Sequence, residues 1–193
     1  MTIIAAAIFK ESASRASWAF GQVSQLVESE LFRLESATVA VRDVTGDVSL
    51  MESKDWTVGK NTRWGGFWGV LVGLAFAGPL LGLFAGLGLG RLFSRSGRKK
   101  TQRQFLEELA DKMAAGDSAL FVAFEPRYRD EIVTQLTRLG AEVIMQELSA
   151  EEEAELAEAL QKEEVEQAIK QMKRSARDQG MDDLADAART DRW

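Results

Sequence analysis

The chain contains no cysteine and no histidine, and these absences remove several kinds of site. Without cysteine there are no disulfides, no zinc–thiolate sites and no thiol catalysis. Without histidine the chain lacks the commonest general base and the commonest metal ligand. An enzyme built on this sequence would have to use Asp, Glu, Lys, Arg, Ser, Thr or the single tyrosine, Tyr128. We therefore predict a non-enzymatic protein with no cofactor, no metal and no catalytic site.

Acidic residues are missing from residues 56–106, although the whole chain has a net charge of −6. The basic residues of this segment flank an uncharged stretch on both sides: Lys60, Arg63, Arg91, Arg95, Arg98, Lys99, Lys100 and Arg103. Basic side chains beside an apolar segment snorkel to anionic lipid headgroups. Residues 95–103 would also suit nucleic acid, but the acidic remainder and the adjacent apolar stretch favour headgroups. We predict membrane lipids as a partner and no nucleic acid.

The uncharged stretch, residues 64–90, reads WGGFWGVLVGLAFAGPLLGLFAGLGLG. As one straight helix it would be about 40 Å long, against about 30 Å for the hydrocarbon core of a bilayer. Gly78 and Pro79 interrupt it at its middle, which predicts the tip of an apolar helical hairpin over residues 56–94. Aromatic residues stand near both ends of this hairpin, where an interfacial belt would lie: Trp56, Trp64, Trp68 and Phe93.

Glycine recurs every four residues in both predicted arms of the hairpin. The spaced glycines are Gly65, Gly69 and Gly73 in the first arm and Gly82, Gly86 and Gly90 in the second. Such spacing gives each helix a groove of small residues in which another backbone can pack closely. We predict packing between hairpins or between protomers, and hence a homo-oligomer. The alternative is a soluble homo-oligomeric scaffold or shell in the cytoplasm, whose hairpins share an apolar core.

Strand and helix patterns alternate on both sides of the hairpin. Before it, residues 2–9 read as a buried strand, residues 11–29 as a helix with Trp18, Val23, Leu26 and Val27 on one face, and residues 37–52 as a hairpin turning at Thr45 and Gly46. After it, residues 101–118 read as a helix closed by Gly116, residues 118–125 as a strand, residues 127–140 as a helix and residues 141–149 as a strand.

This order predicts an α+β fold, a ferredoxin-like sandwich whose halves are residues 1–55 and 95–149. If strands of both halves belong to one sheet, the two ends of the inserted hairpin must lie on the same side of any membrane. The apolar start of the chain has no basic residues ahead of it, unlike a secretory signal, so we expect the N-terminus to stay in the cytoplasm. The predicted location is the cytoplasmic side of the bacterial inner membrane.

An acidic helical arm, residues 150–193, follows the last predicted strand. Ser149 and Glu152 match a capping box, and the residues that follow are strong helix formers. The acidic run at 151–153 would suit a divalent cation, but it more simply complements a helix N-terminus. The end of the arm is predicted to be partly disordered. The arm is either a solvated helix or a helix that binds a protein partner or another copy.

The motifs RWGGFWGVLVGLAFAGPLLG, GDSALFVAFE and AEVIMQELSAEEEAEL together resemble a bacterial family of unknown function. Its members are usually described as predicted membrane proteins, and some related proteins are called general stress proteins. The resemblance covers about residues 2–160. It implies an α/β domain that carries a membrane-associated glycine hairpin, with a possible place in the stress response, and it implies no reaction or ligand.

Overall fold

The fold was taken from a computed structural model, which describes residues 1–51, 63–76, 99–152 and 154. Along the chain the elements are β1 (Thr2–Phe9), α1 (Arg15–Glu28), β2 (Ser36–Arg42), β3 (Val48–Met51), α2 (Arg63–Phe76), α3 (Lys99–Lys112), β4 (Ser118–Phe124), a 3-10 turn (Pro126–Tyr128), α4 (Arg129–Arg138) and β5 (Glu142–Leu148). The predicted strands and helices in the described ranges are confirmed, with shifts at their ends.

The five strands form one sheet in the order β3-β2-β4-β1-β5, and every neighbouring pair is antiparallel. In the pairing of β2 with β4, Ser36 lies opposite Ala123 and Val39 opposite Leu120. Strands from both sides of the apolar stretch therefore belong to one sheet, as the sequence predicted. The α+β class is also confirmed.

Two helical layers cover the sheet. α1 and α4 pack on one face through Ala16, Ala19, Val23, Ile132 and Leu136. α2 and α3 pack on the other face through Phe67, Trp68, Leu71, Val72, Phe105 and Leu109. Because both faces are covered, the central strands β1 and β4 are buried along their whole length. This double coverage explains why both strands are continuous apolar runs rather than alternating ones.

The strands meet at two opposite ends of the sheet. The Ser36 end is where β2 begins, β4 ends at Phe124 and β5 ends at Leu148. The Asp117 end is where β1 ends, opposite the Ser118 that begins β4.

Two details of the helices differ from the predictions. Trp18 was placed on the buried face of α1, but it is 45% exposed, and the guanidinium of Arg15 lies 4.2 Å from the centroid of its ring. α3 ends at Lys112 and not at Gly116. The N–H of Ala114, which a continuing helix would use internally, instead donates to the carboxylate of Asp117 at 2.8 Å.

Two glycines in open surroundings are expected to respond oppositely to alanine. Gly116 has a φ of +87°, whereas Gly21 lies inside α1, and a Cβ at either position meets nothing within 4 Å. Gly116→Ala should lower the free energy of unfolding by about 1–2 kcal/mol, because L-residues are strained at this φ. Gly21→Ala should raise it by up to about 1 kcal/mol, because alanine favours the helix. Urea unfolding measures both, and equal signs would contradict the backbone argument.

Candidate membrane-facing and assembly segment

α2 contains the first half of the uncharged stretch and packs on the sheet. It includes Gly65, Gly66, Gly69 and Gly73, each of which costs about 1 kcal/mol in a helix interior relative to alanine. Tertiary packing offsets such costs, and here it comes from the side chains that α2 buries against the sheet. The apolar stretch thus has a partner within its own chain over residues 63–76.

Trp68 is the anchor of α2 on the sheet. Its indole N–H donates to the hydroxyl of Ser36 at 2.9 Å, and its ring lies 5.5 Å from the ring of Phe121 on β4. The ring of Phe67 packs on it edge-on, with centroids 4.8 Å apart. Trp68 is only 3% exposed. An interfacial role for this residue therefore requires α2 to leave the sheet.

α2 and α3 run in the same direction. The ring of Phe76, the last residue of α2, lies against Arg42 of β2, with its centroid 5.2 Å from the guanidinium. Lys112, the last residue of α3, forms ion pairs with Glu108 and with Glu142, which begins β5. Both helices therefore end at the Asp117 end of the sheet. Since each has 14 residues, about 21 Å, and the strands are of similar length, both begin towards the Ser36 end.

This arrangement places two helix starts that carry basic residues, although they are far apart in the sequence, towards the same end of the sheet. Arg63 begins α2, and Lys99 and Lys100 begin α3 with Arg103 one turn later. Neither helix has an acidic residue in its first turn. The described residues of the two basic flanks therefore lie on helices that begin towards the Ser36 end.

The other predicted site residues are divided by the described ranges. Trp64, Gly65 and Gly73 lie within α2, as does Gly69, which is half-buried. The remainder lie outside the described residues: Trp56, Lys60, Gly78, Pro79, Gly82, Gly86, Gly90, Arg91, Phe93, Arg95 and Arg98. The hairpin tip and second arm thus stay predictions.

The family described as "Protein of unknown function (DUF1269)" matches residues 62–161, which are 100 of the 193 residues. The chain belongs to this family. No curated protein and no solved structure matches it. The DUF1269 segment runs from the start of α2 to the first residues of the acidic arm, so both helices of the apolar layer lie inside it, whereas β1, α1, β2 and β3 precede it. The predicted resemblance to an uncharacterised family is confirmed.

The described helices of this DUF1269 protein differ in length and apolar character from membrane-spanning helices. Across the described parts of the chain, none combines the length and the apolar character that crossing a bilayer requires.

A polar network at the Asp117 end of the sheet joins the start of β4 to the connection between β1 and α1 and to the residues that follow α3. One carboxylate oxygen of Asp117 accepts from the backbone N–H of Glu11 at 2.8 Å; the other accepts from the N–H of Ala114 at 2.8 Å and from Nζ of Lys10 at 3.3 Å. The hydroxyl of Ser118 accepts from the N–H of Ala16 and donates to the carbonyl of Ser12. The start of β4 thus fixes the connection between β1 and α1.

Asp117 is ionised because its hydrogen bonds outweigh its burial. Burial by itself raises the pKa of the carboxyl group, but the N–H groups of Glu11 and Ala114 and the ammonium of Lys10 hold the pKa below its usual value of 3.8.

Arg42 completes the network, since its Nη1 donates to the carbonyl of Met113 at 2.5 Å. Both Asp117 oxygens are engaged in holding backbone, so the network stabilises the fold and offers no general base.

Sequence reasoning did not single out Asp117, Ser118 or Arg42. The available signal was the run Gly-Asp-Ser immediately before a buried strand, in which Asp and Ser are typical turn and capping residues. Apart from partners within the adjoining turns, the groups that these side chains bind lie 71 to 107 positions away, so the sequence did not identify them. Within residues 1–51, 63–76 and 99–152, no group of three acidic side chains is arranged to hold a metal ion.

Proposed function

We propose that this protein is a non-enzymatic, membrane-associated assembly protein that inserts a glycine hairpin into the cytoplasmic face of the bacterial inner membrane. The observation that carries the proposal is the pairing of β2 with β4, which joins the chain before the apolar stretch to the chain after it. A single crossing of the membrane would separate these strands. The stretch must therefore leave the domain and return on the same side, as a hairpin does.

The shared Ser36 end supports the same conclusion. A hairpin inserted from one side has both of its basic flanks at the membrane surface and its tip in the bilayer. Arg63 at the start of α2 and Lys99 at the start of α3 are already at one end of the sheet.

The strand order supports the finer description of the fold as ferredoxin-like. Two β-α-β units, β1-α1-β2 and β4-α4-β5, interleave in one sheet in the order β2-β4-β1-β5, and both of their helices lie on the same face. β3 adds an edge strand beside β2. In this description α2 and α3 cover the face that such a sandwich leaves open.

Insertion requires α2 to leave the sheet. Residues 77–90 are the uncharged residues that remain after α2, and as a helix they would span only about 21 Å, less than the ~30 Å of a bilayer core. A helix at a protein surface normally has a polar side, but residues 64–76 include no charged residue. Lipid, or the hairpin of another protomer packed against Gly69 and Gly73, would cover the rest of this helix.

A soluble homo-oligomer is the second candidate, and the docking of α2 on its own sheet favours it. In that assembly Phe67, Trp68, Leu71 and Val72 stay on the sheet, as they are here, and the remaining apolar surfaces pack against other protomers. Recovery of the protein in a high-speed supernatant without detergent, as one large species, would favour this candidate. A place in the stress response stays a prediction from the resemblance.

The membrane proposal predicts a large effect of charge at the start of α3. Lys99→Gln with Lys100→Gln should weaken binding to vesicles containing phosphatidylglycerol by about thirty-fold, because each basic residue near an anionic surface contributes about 1 kcal/mol. Arg15→Gln with Arg138→Gln is the matched control: it removes the same charge from α1 and α4 and should have little effect. Co-sedimentation measures both. Equal losses, or no binding by the unmodified protein, would contradict the proposal.

A further inference from the structure

The acidic arm begins at the same end of the sheet as the two basic helix starts. Leu148 ends β5 opposite Thr2, and its side chain packs in the cluster that α2 and α3 cover. The predicted capping box follows at once: the N–H of Ser149 donates to the carboxylate of Glu152 at 2.7 Å, and the N–H of Glu152 donates to the hydroxyl of Ser149 at 3.2 Å. A helix is thus initiated at the Ser36 end.

The arm and the helix starts have complementary charges. Residues 151–166 hold eight acidic residues and one basic residue, Lys162. The starts of α2 and α3 hold Arg63, Lys99 and Lys100, with no acidic residue in either first turn. Positive charge at a helix N-terminus is unfavourable and negative charge is favourable. The first turns of both helices therefore lack the negative charge that the arm carries.

The arm is long enough to reach both starts. From β5 to β2 there are three strand spacings, which amount to about 14 Å. As a helix, residues 151–166 would extend about 24 Å. An arm that begins beside β5 can therefore pass the start of α3 and reach that of α2.

We propose that residues 151–166 dock on the basic starts of α2 and α3 of the same chain and compete there with anionic lipid headgroups. The docking follows from the placement and charge of the two parts, and the competition rests on the proposed membrane function. With the arm docked, the basic residues are neutralised and α2 stays on the sheet. An anionic surface displaces the arm and binds the same residues.

Docking is tested by carbodiimide coupling of the full-length protein, which joins lysines to carboxylates in direct contact. We expect cross-links from Lys99 or Lys100 to glutamates of residues 151–166, and their loss in high salt. Coupling of an equal mixture of isotopically heavy and light protein should give cross-linked pairs in which both peptides are heavy or both are light, because the link forms within one chain. No cross-link to this part of the arm overturns the proposal. Mixed-mass pairs overturn it as well, because they identify the arm of a second copy as the occupant.

Competition is tested with a charge-neutralised arm, in which Glu155, Glu158, Glu163 and Glu164 are replaced by Gln. Binding to vesicles of phosphatidylglycerol and phosphatidylcholine should rise by at least about five-fold, the factor for one basic residue freed near an anionic surface. A control with the same charge change replaces Asp182, Asp183, Asp186 and Asp191 by Asn and should bind like the unmodified protein. Vesicles of phosphatidylcholine alone should show no gain.

The two experiments separate this inference from the proposed function. If cross-links form but neither the unmodified protein nor the variant binds vesicles, the arm docks and the membrane function is wrong. If the unmodified protein binds vesicles and the neutralised arm gives no gain, or gives the same gain as the control, the competition is wrong and the membrane function stands.

Discussion

Replacing Trp68 with alanine should lower the free energy of unfolding by about 4 kcal/mol, as truncation of a buried aromatic residue in a packed core does. The substitution removes a ring that is 3% exposed and contacts Phe67 and Phe121, and it leaves the hydroxyl of Ser36 without its donor. Urea unfolding followed by circular dichroism measures the change.

Trp18→Ala is the matched control, because it removes the same side chain from a position that is 45% exposed. Its ring packs on the guanidinium of Arg15, and an exposed contact of this kind contributes about 0.5–1 kcal/mol. The comparison of the two variants thus tests whether Trp68 is buried between α2 and the sheet while Trp18 lies at the surface of α1. A loss for Trp68→Ala as small as that expected for Trp18→Ala would mean that α2 is not packed on the sheet in solution.

Replacing Asp117 with asparagine should lower the free energy of unfolding by about 2–3 kcal/mol at neutral pH, because hydrogen bonds to a charged group contribute more than neutral ones. Asparagine keeps one acceptor oxygen, but its amide NH₂ takes the place of the other. That NH₂ would face the backbone N–H of Glu11 or of Ala114, so two donors would oppose each other and one N–H would lose its acceptor. Asp111→Asn, at an exposed position in the same helix–strand region, should change stability by less than about 0.5 kcal/mol.

The contribution of Asp117 should also depend on pH in one direction. Its folded pKa is lowered by its hydrogen bonds, so the stabilisation is fully present above the unfolded pKa of about 4 and is lost as the pH falls through the folded pKa. The difference between the unmodified protein and Asp117→Asn should therefore be constant near neutral pH and narrow in acid. Urea midpoints measured across this range check it, and a difference that grows in acid would contradict the assignment.

The described elements show how far local pattern extends. The strand at residues 2–9, the turn at Gly46 and the capping box at Ser149 were predicted from adjacent residues, and each forms where it was expected. The errors are of another kind. Trp18 was placed by its spacing on one helical face with Val23, Leu26 and Val27, but Ala16 and Ala19 are the residues buried beside Val23, and the tryptophan is left at the surface.

The apolar stretch shows the same limit more strongly. Its composition and basic flanks indicated a hairpin that would be buried in an apolar environment. Composition alone does not distinguish whether that environment is lipid or protein. The structure gives residues 63–76 an apolar partner, the face of the sheet formed by Ile4, Ala6, Phe121 and Ala123. That choice depends on surfaces assembled from distant parts of the chain.

The sequence by itself determined the local elements, the α+β class, the absence of cysteine and histidine chemistry, and the separation of basic and acidic charge into different segments. These properties follow from neighbouring residues, because helix periodicity, strand burial, turns and caps depend on contacts within a few positions. Only the tertiary structure decided that β2 pairs with β4, that α2 lies on the sheet, and that Asp117 and Ser118 hold the connection between β1 and α1. These contacts join residues that are up to 107 positions apart, and they form because the two faces of one sheet must both be covered.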